Sequence, residues 1–153
     1  MKIVFISDIH SNFEYLTTVL EKIDKLSVDK IYCLGDLINY YDKPNEVIDL
    51  IRKKQIQCIK GNHDKYLLSE LPYKQERGLY YGIQRHLEII RPDNIDYLKS
   101  LPDDLVVEHK SYLFYLTHSL PGNCETYLTE LDQLDREFIN KYDLCKSWYK
   151  NWN

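Results

Sequence analysis

Lys2-Ile3-Val4-Phe5-Ile6-Ser7-Asp8-Ile9-His10-Ser11-Asn12-Phe13-Glu14 is the stretch whose reading decides the fold. Its β-branched and aromatic start, residues 2–7, has the character of a strand. Ser11-Asn12-Phe13-Glu14 reads as a capping box, in which a serine and a glutamate three residues apart satisfy backbone N–H groups at the start of a helix. Phe13, Leu16, Leu20 and Ile23 then recur at helical spacing and give that helix one apolar face. The order is strand, loop, helix, and it occurs again. Residues 30–34 are strand-like, Pro44 suits a first helical position, and Val47, Ile48 and Ile51 continue the helical spacing until Arg52-Lys53-Lys54 favours the C-terminal dipole. Residues 55–60 form a third strand. The pattern β-α-β-α-β predicts parallel strands joined by right-handed crossovers.

Outward from that core the rhythm changes. Leu79, Ile83, Leu87 and Ile90 predict one helix over 74–90, and a shorter one starts at Pro92 and stops before Pro102. Residues 65–103 therefore read as a helical insertion. Residues 105–108 and 112–117 flank His109-Lys110-Ser111 as a β-hairpin that begins a second sheet. Leu128, Leu131, Leu134 and Phe138 predict a helix over 128–139, a short strand is expected at 142–145, and 146–153 forms an atypical tail. At 153 residues and 18.4 kDa the chain is expected to make one domain, 1–153, around one core.

Hydrophobic residues at 44% and charged residues at 29% are ordinary globular usage, which excludes disordered, collagenous and membrane-spanning classes. Lys and Arg number 20 against 24 Asp and Glu, so there is no electrostatic footprint for a nucleic-acid scaffold. The apolar N-terminus is interrupted too early by Asp8 and His10 for a signal peptide or anchor, and cytoplasmic residence without membrane association is expected. Cys33, Cys58, Cys124 and Cys145 have no CxxC pairing and read as buried or partly buried free thiols.

In a parallel array the loops leaving the strands share one sheet edge, where open α/β folds bind ligands. The first strand exits into Asp8-Ile9-His10, the second into Gly35-Asp36, the third into Gly61-Asn62-His63-Asp64, and the hairpin's second strand into Thr117-His118. Every exit thus carries a potential metal ligand. Asp8 and His10 alternate, so in an extended segment both would point at one cation. Asp36 arrives between the other two loops, and a carboxylate can bridge two divalent ions about 3.5–4 Å apart.

These residues resemble a known family, the calcineurin-like metallophosphoesterases, whose signature is D-x-H, G-D, G-N-H-D, a later His and a terminal G-H-x-H. The first three blocks match in order, and Gly35-Asp36-Leu37-Ile38 with Pro44-Asn45-Glu46-Val47 is similar to the branch of small bacterial phosphoesterases. His118 fits the fourth block, although Ser119 stands where the family usually has Gly. The resemblance implies a four-layer α/β/β/α sandwich and hydrolysis of phosphate mono- or diesters. It implies two divalent metals, Mn, Fe, Zn, Co or Ni with Mn favoured, held by Asp8, His10, Asp36 as bridge, Asn62 and His118. It further implies that His63 acts beside the phosphate as general acid or transition-state stabiliser, oriented by Asp64. His86 and His109 carry no motif and read as surface residues.

No G-H-x-H follows His118. The expectation is that the C-terminal part of the second sheet is missing and that activity is impaired. A non-catalytic interaction module on the same fold, or a truncated or frameshifted gene product, stands as the alternative reading. The hairpin is expected to leave an unpaired edge and an uncovered apolar face carrying Val106, Tyr112, Phe114 and Leu116. That predicts a homo-oligomer in which the hairpin or the tail packs on a second copy, with Trp148 and Trp152 as anchors.

Overall fold

The computed structural model describes residues 2–110, 112–119 and 125. The chain divides into two compact units, 1–118 and 119–153, and the architecture below is that of the first. The predicted helix at 128–139, the strand at 142–145, Cys124, Cys145, Trp148 and Trp152 lie outside the described residues.

The repeating unit is formed as β1 (Ile3–Ile6), α1 (Phe13–Asp24), β2 (Lys30–Cys33), α2 (Pro44–Lys53) and β3 (Gln57–Cys58), with the sheet in the order β1-β2-β3. Both pairings are parallel, Phe5 lying opposite Tyr32 and Cys33 opposite Cys58. Strand alternation sorts the side chains into two layers. Val4, Ile6, Ile31, Cys33 and Cys58 pack with Leu16, Leu20 and Ile23 of α1 and Val47, Ile48 and Ile51 of α2. Ile3, Tyr32 and Leu34 pack on the other face.

The helix α1 starts one residue later than the capping box predicts. Asn12 is its N-cap, and its Oδ1 accepts from the Tyr15 N–H at 3.2 Å. Residues 62–67, whose polar composition hides any helical period, form the short helix α3 (Asn62–Leu67). The single helix predicted over 74–90 is two, α4 (Gln75–Tyr81) and α5 (Ile83–Ile89). They are separated by Gly82 at φ 72°, a left-handed conformation that ends a helix readily only at glycine. The helix α6 (Pro92–Ser100) starts at its proline as expected.

The hairpin consists of β4 (Asp104–His109) and β5 (Tyr112–Thr117), antiparallel with Val107 opposite Phe114 and Leu105 opposite Leu116. It corrects one expectation. The face is covered at Phe114 and Leu116, which with Leu105 and Val107 pack on Ile3, Tyr32 and Leu34 of the parallel sheet, while Tyr112 beside the turn stays exposed. Phe114 and Phe5 have ring centroids 5.9 Å apart. Val106 belongs to the opposite face, where it is exposed. Among the described residues, helices, parallel sheet and hairpin follow one another as layers. They bring the strand exits and His118 to one end of the unit.

Candidate metal centre

Asp8 and His10 do not meet as alternate residues of an extended strand. Both have left-handed backbone, φ 55° and 51°, as do Ser11 at 60°, Asp36 at 56°, Asn39 at 74° and Tyr40 at 62°. Such dihedrals are strained for residues with a Cβ and persist only where surrounding bonds over-determine them. Those bonds run between the exits: Asp8 N–H donates to Gly35 O at 3.1 Å, His10 N–H to Asp36 O at 2.9 Å and Ser11 N–H to Leu37 O at 2.8 Å. The first exit is thereby stitched along the second.

Two glycines permit this approach. A Cβ on Gly35, which has φ +100°, would lie 2.4 Å from Gly61 N, and a Cβ on Gly61 would lie 2.0 Å from Asp36 Oδ1. The Gly that precedes Asp36 and the Gly that precedes Asn62 are thus packed against each other's loops.

Within the stitched rim, Asp36 Oδ2 lies 3.7 Å from His10 Nε2 and 3.5 Å from His118 Nε2, while Asp8 Oδ1 is 3.8 Å from His10 Nε2. Asn62 Oδ1 is 3.0 Å from His118 Nε2. The tautomers follow from the far side of each ring. His10 Nδ1 is 3.1 Å from Ile38 O and His118 Nδ1 is 2.7 Å from Leu34 O, and a carbonyl only accepts, so Nδ1 carries the proton. In each ring it is then Nε2 that faces the carboxylate and amide oxygens. Two groups of possible ligands result, His10, Asp36 and His63, and Asp8, Asp36 and His118, with Asp36 common to both.

The electrostatics agree with that donor set. Burial pushes the Asp36 carboxyl up to about 8, with the Asp64 charge adding to it and the His63 N–H, which donates to Asp36 Oδ1 at 2.8 Å, opposing it. Burial also lowers His10. Converging lone pairs around a buried carboxylate fit a divalent cation, whose charge reverses the penalty that burial imposes.

His63 is buried against rings: centroids lie 4.5 Å away for Tyr81, 4.8 Å for His10, 4.9 Å for Tyr40 and 5.4 Å for Tyr66. Burial, then the neighbouring His10 and His118, hold it down at about 4. Asn39 Nδ2 donates to His63 O at 3.1 Å, which identifies the amide end, and the same nitrogen stands 3.3 Å from His63 Nδ1. Nδ1 is therefore the acceptor and the ring proton sits on Nε2.

Asp64 does not orient His63 and corrects that expectation. Fully buried, it accepts from Asp36 N at 2.9 Å, Gly61 N at 2.9 Å and Leu37 N at 3.0 Å. It clamps the second exit to the third. Burial raises its carboxyl to about 6, against the pull of those three backbone donors.

The chain matches the calcineurin-like phosphoesterase family over residues 1–153. It belongs to that family. It is 36% identical over 129 residues to an uncharacterised protein of Methanocaldococcus jannaschii, which covers 82% of this chain and 52% of that protein. Over 90 residues it is 34% identical to the symmetrical bis(5'-nucleosyl)-tetraphosphatase of Baumannia cicadellinicola, covering 56% of this chain and 28% of that one. The crystal structure of a metallophosphoesterase from Sphaerobacter thermophilus superposes with a TM-score of 0.56 at 30% identity, covering 70% of this chain and 44% of its own. The chain thus spans about half the length of the first relative and less of the others. Among the described residues no helix is long and apolar enough to cross a membrane.

Beyond the residues of the calcineurin-like pattern, the rim depends on His86, which is 1% exposed and no surface residue. From α5, its Nδ1 accepts from Asn39 N at 3.2 Å and its Nε2–H donates to Tyr41 O at 2.6 Å, so one neutral ring holds the strained 39–41 loop from inside. The signal available was a lone His at helical spacing from Ile83 and Ile90. His109 is half-buried rather than exposed.

Proposed function

We propose that this chain is a metal-dependent phosphoesterase that hydrolyses phosphate mono- or diesters. In this reading Asp8, His10, Asp36, Asn62 and His118 hold two divalent ions, Mn²⁺ preferred from Mn, Fe, Zn, Co and Ni. The observation that carries it is Asp36, a buried carboxylate whose Oδ2 lies 3.7 Å from His10 Nε2 and 3.5 Å from His118 Nε2, with the Nδ1 of each ring held by a backbone carbonyl. Bound divalent ions supply Lewis acidity that neutralises a phosphoryl group during in-line displacement.

The chain's own residues do the rest. The Asp64 clamp and the Gly35–Gly61 approach keep the ligand-bearing loops in place without reorganisation, which is where electrostatic catalysis gains most. His63 is a hydrogen-bond donor at Nε2, available to the departing or a non-bridging oxygen. Its Nδ1 is committed to Asn39, which favours that role over metal ligation.

Turnover of bis-p-nitrophenyl phosphate by the purified chain is the test. It is expected with Mn²⁺, abolished by a chelator and restored by adding the ion back. Asp36→Asn should lose about 10²–10³-fold in kcat together with Mn²⁺ affinity measured by calorimetry. An Asp36→Asn isotherm identical to that of the wild type overturns the bridge.

A further inference from the structure

Beside Asp8 and His10 lies a cleft of about 450 Å³, lined by residues of α1 and by Tyr41. We propose that it receives the planar organic group, an aryl ring or nucleobase, of an ester whose phosphoryl group sits at Asp8 and His10. The assignment of the phosphoryl end rests on the function proposed above, and the assignment of the cleft rests on its own walls.

Those walls are apolar where the fold does not require it. The helix α1 turns Leu16, Leu20 and Ile23 into the core, yet Tyr15 and Val19, one turn apart and outside that buried set, remain 71% and 40% exposed and line the cleft. Tyr41, 54% exposed, lines the same cleft. Scattered apolar residues on a surface are ordinary. Here they bound one concavity within the size range of small-ligand sites, about 300–1,000 Å³. None of the lining residues is Lys or Arg, so the cleft offers nothing to a second phosphate or to an acidic peptide. Apart from the tyrosine hydroxyls its polar groups, Ser7, Asp8, His10 and Asn12, are gathered on the β1–α1 segment. A ligand that fits is therefore charged at one end and planar and apolar at the other.

The wall is also held before any ligand arrives. Tyr41 O accepts from His86 Nε2 at 2.6 Å and Tyr41 N–H lies 3.2 Å from His10 O, which ties the tyrosine to the insertion and to the first exit. A tyrosine whose backbone is already held loses less freedom when its ring packs on a planar group.

Calorimetric titration with AMP and with ribose 5-phosphate, each with and without Mn²⁺, isolates the base. Ring stacking predicts that AMP binds at least about tenfold more tightly than ribose 5-phosphate. Tyr15→Ala and Tyr41→Ala should each remove several-fold of that preference, and Val19→Glu, a change at an exposed position, should do the same by charging the wall. Equal affinities in the wild type, absence of AMP binding, or a preference that survives all three substitutions would overturn the proposal. Hydrolysis of bis-p-nitrophenyl phosphate without any AMP preference removes the cleft assignment and leaves the proposed function standing. An AMP preference lost in the variants, in a chain that hydrolyses no ester, does the reverse.

Discussion

At the N-terminal end of the parallel sheet, Lys54 meets Asp24 at 2.7 Å and the Lys2 N–H meets Asp29 at 2.7 Å, all of them exposed groups beside a cleft of about 320 Å³. At the C-terminal end of the same strands, Asp36 is 2% exposed and faces the Nε2 atoms of His10 and His118 rather than a lysine or arginine. Exposed pairs relax in water and are worth little. A buried carboxylate surrounded by lone pairs is destabilising unless something positive joins it. Backbone strain follows the same division. Asp8, His10, Ser11, Asp36, Asn39 and Tyr40 are left-handed at the C-terminal rim, whereas Ser27 and Gln55 are the left-handed residues leading into β2 and β3. One sheet thus carries a relaxed end and a strained end, and the strained end is the one with chemistry.

That contrast can be broken at several points, the most sensitive being His63. If its Nε2–H serves the reacting phosphate, His63→Ala should lower kcat on bis-p-nitrophenyl phosphate by about 10²–10⁴-fold while metal content, read by elemental analysis, stays at the wild-type level. Loss of metal together with activity would make His63 a ligand instead.

Gly61→Ala probes the strain itself. Its Cβ would stand 2.5 Å from Asp36 N as well as against Asp36 Oδ1, so we expect a loss of about 1–3 kcal/mol in urea denaturation. Gly82→Ala, where a Cβ meets nothing within 4 Å, should cost only the left-handed backbone, about 1–2 kcal/mol. Equal costs at the two glycines would mean that the close approach of the exits contributes nothing.

The His86 clamp should appear in the pH dependence of stability. Burial holds its imidazole below the ordinary 6.5, against the opposing pull of the Tyr41 carbonyl. The unfolded chain therefore takes up a proton where the folded one resists it. The stabilisation is full above about pH 6.5 and is lost as the pH falls below it. Between about pH 7 and about pH 5, the wild-type urea midpoint should drop further than that of His86→Gln. Identical slopes would refute the clamp. The smallest effect belongs to the relaxed end: Lys54→Ala should change stability by no more than about 0.5 kcal/mol.

Much of this was legible in the residues. The β-α-β-α-β order follows from apolar periods of two and 3.6, which arise from local geometry and survive almost any context. The ligand types at four strand exits follow from composition and spacing. Gly82 inside a helical period was ambiguous, since glycine is tolerated within helices and also ends them. Residues 62–67 form a helix without an apolar period because Asn62, His63 and Asp64 are buried for polar reasons.

What the sequence by itself determined is which side chains could meet and roughly at which edge, because strand alternation and parallel crossovers are set residue by residue. What only the tertiary structure decided is how they meet. His118 finds its tautomer at Leu34 O, 84 positions away, Asp64 serves three amides rather than a histidine, and His86 supports a loop from another helix. Proton positions, burial and left-handed backbone are properties of neighbours brought from distant parts of the chain, and no local period encodes them.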